Sequence, residues 1–158
     1  MVDVAKYFLG FLQDESCGKC VPCRLGIDRM LEIVTDITEG RGRPEQLNLL
    51  DDLGETMAES LCGLGKTAAN PVLSTLRYFR GEYEAHIHQR RCPAGVCRAL
   101  VRYTIDAETC TGCGACRSAC PHGAIRGEKK HPHAISPELC TRCGICRDTC
   151  KFDAVMVA

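Results

Sequence analysis

Eight cysteines in the C-terminal part of the chain occur in two runs whose spacing suits iron-sulfur chemistry. Each run has the pattern C-x2-C-x2-C-x3-C, and the second begins thirty residues after the first. Three closely spaced thiolates can bind one cubane cluster, whereas the fourth cysteine starts a helical turn and reaches the other cluster. The pattern therefore predicts two 4Fe-4S clusters that transfer single electrons. The predicted ligand sets are Cys110, Cys113, Cys116 and Cys150 for one cluster, and Cys140, Cys143, Cys146 and Cys120 for the other.

A third group of cysteines lies near the N-terminus. Cys17, Cys20 and Cys23 have the same two-residue spacing, and Cys62 follows much later in the chain. Three ligands on one turn need a fourth from elsewhere. The spacing alone also suits a redox dithiol or part of a zinc site. Zinc is likewise the alternative for the two C-terminal runs, although zinc sites usually contain paired C-x2-C elements.

The residues around the N-terminal cysteines resemble a known family. The segments that carry the resemblance are Glu15–Cys20, Arg24–Gly26, Ser60–Gly65, Asn70–Leu73 and Tyr78–Arg80. They are similar to the C-terminal part of the NADH-binding flavoprotein subunit of respiratory complex I and of its soluble relatives. Those relatives include NADH-dependent and electron-bifurcating iron hydrogenases and NAD-linked formate dehydrogenases. The appended ferredoxin pattern favours the soluble branch.

The resemblance implies a cluster site and an electron donor. It implies that Cys17, Cys20, Cys23 and Cys62 hold a 4Fe-4S cluster at one end of a small helical bundle, and that this cluster receives electrons from a flavin. In the family, the FMN and NADH sites lie in a Rossmann-like region upstream. This sequence has no G-x-G-x-x-G motif after a strand pattern. We therefore expect the chain to be a portion of a longer subunit, binding neither FMN nor NADH and catalysing nothing by itself.

Two further cysteines belong to none of these sets. Cys92 and Cys97 lie just after two histidines, and two thiolates with an imidazole can form most of a tetrahedral zinc site. The alternative is a pair of buried free thiols. The predicted zinc ligands are His86, Cys92, Cys97 and His133, with His88 and His131 in reserve. Such a site would be structural and would fix the connection between two metal-binding domains.

Apolar periodicity predicts the elements that position these residues. The helical stripes cover residues 3–13, 24–38, 45–61 and 71–88. The first stripe contains Val4, Tyr7, Phe8 and Phe11, which are expected to be core residues rather than cofactor contacts. Short strands are expected near residues 99–104, at both ends of 124–135, and at 155–157, closing a pseudo-symmetric sheet.

The predicted fold is α+β, with a four-helix bundle that carries a 4Fe-4S cluster followed by a bacterial 2×(4Fe-4S) ferredoxin domain. The predicted boundaries are 1–90 for the bundle, 91–105 for a connector with the zinc site, and 106–158 for the ferredoxin domain. Each part is small, so bound metal is expected to compensate for a limited core.

Composition and patterning exclude several function classes. The chain has 20 basic and 20 acidic residues and no Trp, and its basic residues form no stripe with interleaved aromatics, which argues against nucleic-acid binding. No apolar run approaches the length of a membrane span, and no signal-peptide pattern precedes the cysteines. Cysteines spaced as metal ligands predict a reducing compartment, the cytoplasm.

Two functions fit the three predicted clusters. In the first, the chain is the electron relay of an NADH-linked flavin and iron-sulfur oxidoreductase. Its partners would be other iron-sulfur subunits of a hydrogenase-type or formate dehydrogenase-type complex, and soluble ferredoxin. In the second, the chain is a stand-alone ferredoxin-like carrier with a helical docking module.

Overall fold

The computed structural model describes residues 1–157, which divide into two units, Met1–Leu100 and a second unit that begins at Val101. The helices of the first unit are α1 (Val2–Glu15), α2 (Val21–Thr38), α3 (Glu45–Ala58), α4 (Gly63–Thr67), α5 (Asn70–Tyr78) and α6 (Arg80–His88). The predicted connector, 91–105, is shared between the two units. Among the described residues, no helix combines the length and apolar character needed to cross a membrane.

The main apolar core of the first unit is built from residues of α1, α2, α3, α5 and α6. Helix α1 packs against α2 and α5, while α3 packs against α2 and α5. Gly26 brings α2 and α3 close together, because a Cβ at this position would lie 2.4 Å from Cγ of Met57. The core is completed by Tyr83, whose hydroxyl lies 2.7 Å from Oγ1 of Thr75 in a buried hydrogen bond.

The apolar face predicted for the first helix is wrong. Helix α1 buries Val2, Ala5 and Leu9, whereas the predicted core residues Tyr7 and Phe8 are exposed, Tyr7 by 73%. Both sets recur at helical spacing, so periodicity could not separate them. The smaller residues face the core because they allow α1 to pack closely against α2.

The predicted fourth helix is divided in two. Phe79 leaves the helical conformation, with φ −129° and ψ 32°, between α5 and α6. Just before the break, the hydroxyl of Thr75 donates to the carbonyl oxygen of Pro71 at 2.8 Å. Side-chain bonds of this kind compete with backbone bonding and bend helices. Helix α3 also ends earlier than predicted, which leaves Cys62 in the following turn.

The second unit contains two short antiparallel ladders and two single-turn helices. Its elements are β1 (Tyr103–Ile105), α7 (Ala115–Ala119), β2 (Ile125–Arg126), β3 (Ala134–Ile135), α8 (Ile145–Asp148) and β4 (Val155–Val157). Strand β1 pairs with β4, and β2 pairs with β3. The strands lie close to the predicted positions but form two ladders, not one sheet. Two of the four residues in the buried cluster are cysteines, so this unit has little core apart from its predicted ligands.

Candidate metal centres

The N-terminal cysteines lie at the start of α2. Cys20 is the N-cap residue, and Cys23 is buried in the first turn. The loop before them turns at Gly18, whose φ of +70° favours glycine. Nη1 of Arg24 donates to the carbonyl oxygen of Gly18 at 3.0 Å. This bond ties the loop that carries Cys17 and Cys20 to the helix that carries Cys23.

Cys62 reaches the same region from the start of α4. It is the N-cap residue of that helix, and its Sγ accepts a hydrogen bond from the backbone N–H of Gly65 at 3.5 Å. A Cβ on Gly65 would lie 2.5 Å from Cβ of Ser60 and 3.2 Å from Cβ of Cys23. The turn after Cys62 therefore packs directly against the turn that carries Cys23, as the predicted cluster requires.

The eight cysteines of the second unit line two small cavities. Each cavity is lined by three cysteines of one run and the last cysteine of the other. The first contains Cys110, Cys113, Cys116 and Cys150. The second contains Cys140, Cys143, Cys146 and Cys120. These are the two sets that the spacing predicts.

The two cavities are related by an internal repeat of thirty residues. Every residue lining the first has a counterpart thirty positions away in the lining of the second, and most pairs are identical or similar. The clearest difference is that His133 occupies in the first cavity the position that Tyr103 occupies in the second. The same offset pairs Phe152 in the first cavity with His122 in the second, so the two sites share a scaffold but differ at two polar positions.

The donor chemistry of the cysteine groups fits an iron-sulfur cluster. Burial raises the pKa of Cys116, and the charges of Cys110, Cys113 and Cys150 raise it further. Burial also raises the pKa of Cys146, with Cys140 as the next cause. Thiolates this close together repel one another, so a bound cationic centre is what would ionise all four.

Buried polar atoms without a hydrogen-bond partner lie beside two of the predicted cluster sites. Among the described residues, the buried side-chain polar atoms without a partner are Oγ of Ser60 and Nδ1 of His133. Ser60 lies beside the turn that joins Cys62 to Cys23, and His133 lines the first cavity of the second unit. Buried polar groups are nearly always hydrogen-bonded. A sulfur-rich ligand at each place would supply the missing partner.

Three of the four predicted zinc ligands come together in the first unit. The ligand atoms of His86, Cys92 and Cys97 lie within 4.8 Å of one another, and all three residues are buried. Nε2 of His86 is 3.4 Å from Sγ of Cys97. Zn–N and Zn–S bonds at a tetrahedral angle would separate nitrogen and sulfur by roughly 3.6 Å. Nδ1 of His86 donates to the carbonyl oxygen of Glu82 at 2.6 Å, so Nε2 is free to bind metal.

Electrostatics at these three residues also suit a dication. Burial lowers the pKa of His86, which keeps the imidazole neutral. Burial, and then the neighbouring Cys92, raises the pKa of Cys97 to about 12. Burial acts in the same direction on Cys92, but hydrogen bonds from the backbone N–H groups of Cys97, Val96 and Ala94 and from the Cys97 thiol outweigh it and lower the pKa of Cys92. One sulfur is therefore readily ionised, and the second would need a bound metal.

The fourth predicted zinc ligand, His133, has its own surroundings in the second unit. Its ring lies against Gly127, where a Cβ would be 2.8 Å from the ring carbons, and it lines the first cysteine cavity. The reserve residues His88 and His131 are both exposed. Sequence reasoning missed the roles of Ser60, Glu82 and Tyr103. The group of Glu82 that His86 contacts is its backbone carbonyl oxygen, which any residue at this position would supply, so the sequence carries no signal for it.

Comparison with known proteins shows two matches that together cover most of the chain. Residues 3–86 match the NADH-ubiquinone oxidoreductase-F iron-sulfur binding region. Residues 103–126 and 133–156 each match a 4Fe-4S binding domain. The two segments of the second match are offset by thirty residues, the same interval that relates the two cavities.

Several curated proteins are similar to the chain. NADP-reducing hydrogenase subunit HndC of Solidesulfovibrio fructosivorans is 54% identical over 157 residues, which are 99% of this chain and 32% of that protein. An NADH-quinone oxidoreductase subunit of Streptomyces coelicolor is 45% identical over 52% of the chain and 19% of its own length. The beta subunit of NADPH-Fe(3+) oxidoreductase of Geobacter sulfurreducens is 32% identical over 63% of the chain and 15% of its own length. The chain spans about a third of the length of the first of these relatives.

Proposed function

The chain belongs to the family of the NADH-ubiquinone oxidoreductase-F iron-sulfur binding region, and from this we propose that it is the electron relay of an NADH-linked flavin and iron-sulfur oxidoreductase. The resemblance inferred from the residues around Cys17 and Cys62 is thereby confirmed. The observation that carries the proposal is the pair of equivalent cavities, each lined by four cysteines from both runs. A bound 4Fe-4S cluster supplies a one-electron couple.

In the proposed relay, the first unit receives electrons before the second. Cys17, Cys20, Cys23 and Cys62 would hold its cluster between α2 and α4. The N–H of Gly65 and the hydroxyl of Ser60 would stabilise the negative sulfurs. We propose that this unit is a four-helix bundle in which the broken pair α5 and α6 takes the fourth place. The electron donor would be a flavin in an NADH-binding and FMN-binding region outside these residues.

The second unit would hold the other two clusters and lead electrons onward. With one cysteine of each cavity coming from the other run, the fourth ligand of each proposed cluster would come from the opposite half, and both halves would have to fold together for either site to form. HndC and the Streptomyces coelicolor relative are subunits of larger oxidoreductases. We therefore propose partner subunits with iron-sulfur centres, of the hydrogenase or formate dehydrogenase type, with soluble ferredoxin as a further partner. This favours the relay over a stand-alone carrier.

The proposed relay requires a reducing compartment. All fourteen cysteines are free of disulfide bonds, and thiolate ligation persists where thiols are kept reduced. We therefore propose that the protein works in the cytoplasm.

The first test is the cluster count. Twelve thiolates in three sets of four should give about twelve iron and about twelve sulfide per chain after anaerobic reconstitution, as three 4Fe-4S clusters. Iron and acid-labile sulfide assays check this, and Mössbauer spectroscopy identifies the cluster type. A chain that saturates near eight iron would contradict the cluster in the first unit.

We further propose that His86, Cys92 and Cys97 bind one zinc ion, and that a fourth donor completes the tetrahedron. Because the ring of His133 is packed into the second unit, we do not include it in the set. Bound zinc would order the segment after α6, where Cys92, Cys97 and Leu100 form a small separate apolar cluster. The site would be structural, since its three donors are buried.

The zinc proposal predicts about one zinc per chain by elemental analysis of a chelator-free sample. The double variant Cys92→Ala with Cys97→Ala should lose this zinc completely and keep its iron, because neither residue lies in a predicted cluster set. His133→Leu should keep the zinc. Absence of zinc from the unaltered chain would contradict the site, and loss of zinc in His133→Leu would restore His133 as the fourth ligand.

A further inference from the structure

His133 is a buried polar residue that lines the first cysteine cavity. It is only 4% exposed, and its Nδ1 is buried without a hydrogen-bond partner among the described residues. An unpaired buried donor or acceptor costs the full free energy of its desolvation. The ring lines the cavity that contains Cys110, Cys113, Cys116 and Cys150. The available partner for Nδ1 is therefore what the cavity binds.

The surrounding chain holds the imidazole in this place. Gly127 has φ +155°, and a Cβ on it would lie 2.8 Å from the His133 ring and 2.9 Å from its Cα, so only glycine fits. Nη1 of Arg117, on α7, donates to the carbonyl oxygen of Gly127 at 2.9 Å. The segment from Gly127 to His133 is thus anchored to the helix that carries Cys116.

A second contact fixes the same segment over the first cysteine run. The N–H of Lys130 donates to the carbonyl oxygen of Gly112 at 3.0 Å. A Cβ on Gly112 would lie 2.4 Å from the backbone nitrogen of His131. Because Gly112 lies between Cys110 and Cys113, the segment that carries His133 packs onto the ligand loop itself.

The internal repeat supplies a comparison within the same molecule. Thirty residues before His133, Tyr103 lines the second cavity, and its hydroxyl lies 3.1 Å from where a Cβ on Gly144 would be. Tyr103 is half-buried, whereas His133 is buried. The second cavity is also lined by an imidazole, that of His122, but His122 is exposed, so among the residues that line the two cavities the buried imidazole is the one beside Cys110 and Cys116.

We propose that Nδ1–H of His133 donates a hydrogen bond to a sulfur of the 4Fe-4S cluster held by Cys110, Cys113, Cys116 and Cys150, and so raises the reduction potential of that cluster. The proposal rests on the proposed function, because it assumes these ligands. Hydrogen bonds to cluster sulfurs help to set the potential, and a donor stabilises the more negative, reduced state. His133 would thus act on the cluster directly, by stabilising its reduced state.

The test is a redox titration of the full reconstituted chain. His133→Leu, which removes the donor and keeps an apolar side chain, should weaken reduction of one ferredoxin-type cluster about tenfold, a downward shift of about 59 mV for a one-electron couple. Paramagnetically shifted cysteine β-proton resonances assign the shifted couple to Cys110, Cys113, Cys116 and Cys150. His133→Asn, whose amide nitrogen lies near the position of Nδ1, should recover most of the loss.

The control uses the repeat. Tyr103→Phe removes a polar group at the equivalent position and should leave the potential of the His133 cluster unchanged. Iron content distinguishes a failure of the proposed clusters from a failure of the proposed hydrogen bond. Chains that bind fewer than about twelve iron contradict the clusters. In fully loaded chains, the reduction potential tests the hydrogen bond. An unshifted couple in His133→Leu would overturn the proposal. If the His133→Leu chain does not load iron, the His133→Asn chain provides the test. A fully loaded His133→Asn chain in which reduction of this cluster is weakened tenfold or more would also overturn the proposal.

Discussion

Replacing Cys62 by serine should lower the iron content from about twelve to about eight per chain, through loss of one whole 4Fe-4S cluster. Cys62 would be the one ligand of the first-unit cluster that comes from outside the run 17–23, and it is held by the turn at α4. An alcohol is a much weaker ligand than a thiolate for iron-sulfur centres, and three ligands leave one iron open to solvent. The loss should be complete after gel filtration in air-free buffer.

The two ferredoxin-type clusters should survive this change, because the ligand sets do not overlap and the second unit has its own buried cluster of residues. Helical circular dichroism should persist as well, since Cys62 is exposed and the core of the first unit is built from other side chains. Cys97→Ser is the matched control: one cysteine of the same unit becomes serine, and iron should stay at about twelve. Full iron in Cys62→Ser would show that another residue is the fourth ligand.

Most of the candidate site could be predicted from the spacing of the cysteines. Spacing alone paired the last cysteine of each run with the opposite cluster, and the structure brings those same residues around two cavities. It could do so because cluster geometry imposes the spacing and tolerates little else. His86, Cys92 and Cys97 were predicted together because two thiols and an imidazole can form most of a tetrahedral zinc site, and the structure places their ligand atoms within 4.8 Å of one another.

Features that depend on tertiary packing could not be predicted from the sequence. Helix α1 has apolar residues on two faces, and only contact with α2 and α5 decides that Leu9 is buried and Tyr7 is not. The break at Phe79 lies next to a buried hydrogen bond between Thr75 and Tyr83 that joins the two helix segments, and residues eight apart give no periodic signal for it. His133 was predicted as a zinc ligand because it adjoins the strand-like residues Ala134 and Ile135 in the loop between the two cysteine runs. Its burial beside Gly127, and its place in the repeat opposite Tyr103, become clear only once the loop is folded.

The most direct measurement follows electrons from NADH into the clusters. In a longer polypeptide that joins an NADH-binding and FMN-binding region to these residues, NADH should reduce the flavin first and then the clusters, in single-electron steps. Freeze-quench electron paramagnetic resonance resolves the order, and the same polypeptide with Cys62→Ser is the control. The expected result is cluster reduction in the unaltered protein, with reduced flavin accumulating and the ferredoxin-type clusters staying oxidised in the variant. Oxidised clusters beside fully reduced flavin in the unaltered protein, or equally fast cluster reduction in Cys62→Ser, would contradict the proposed relay.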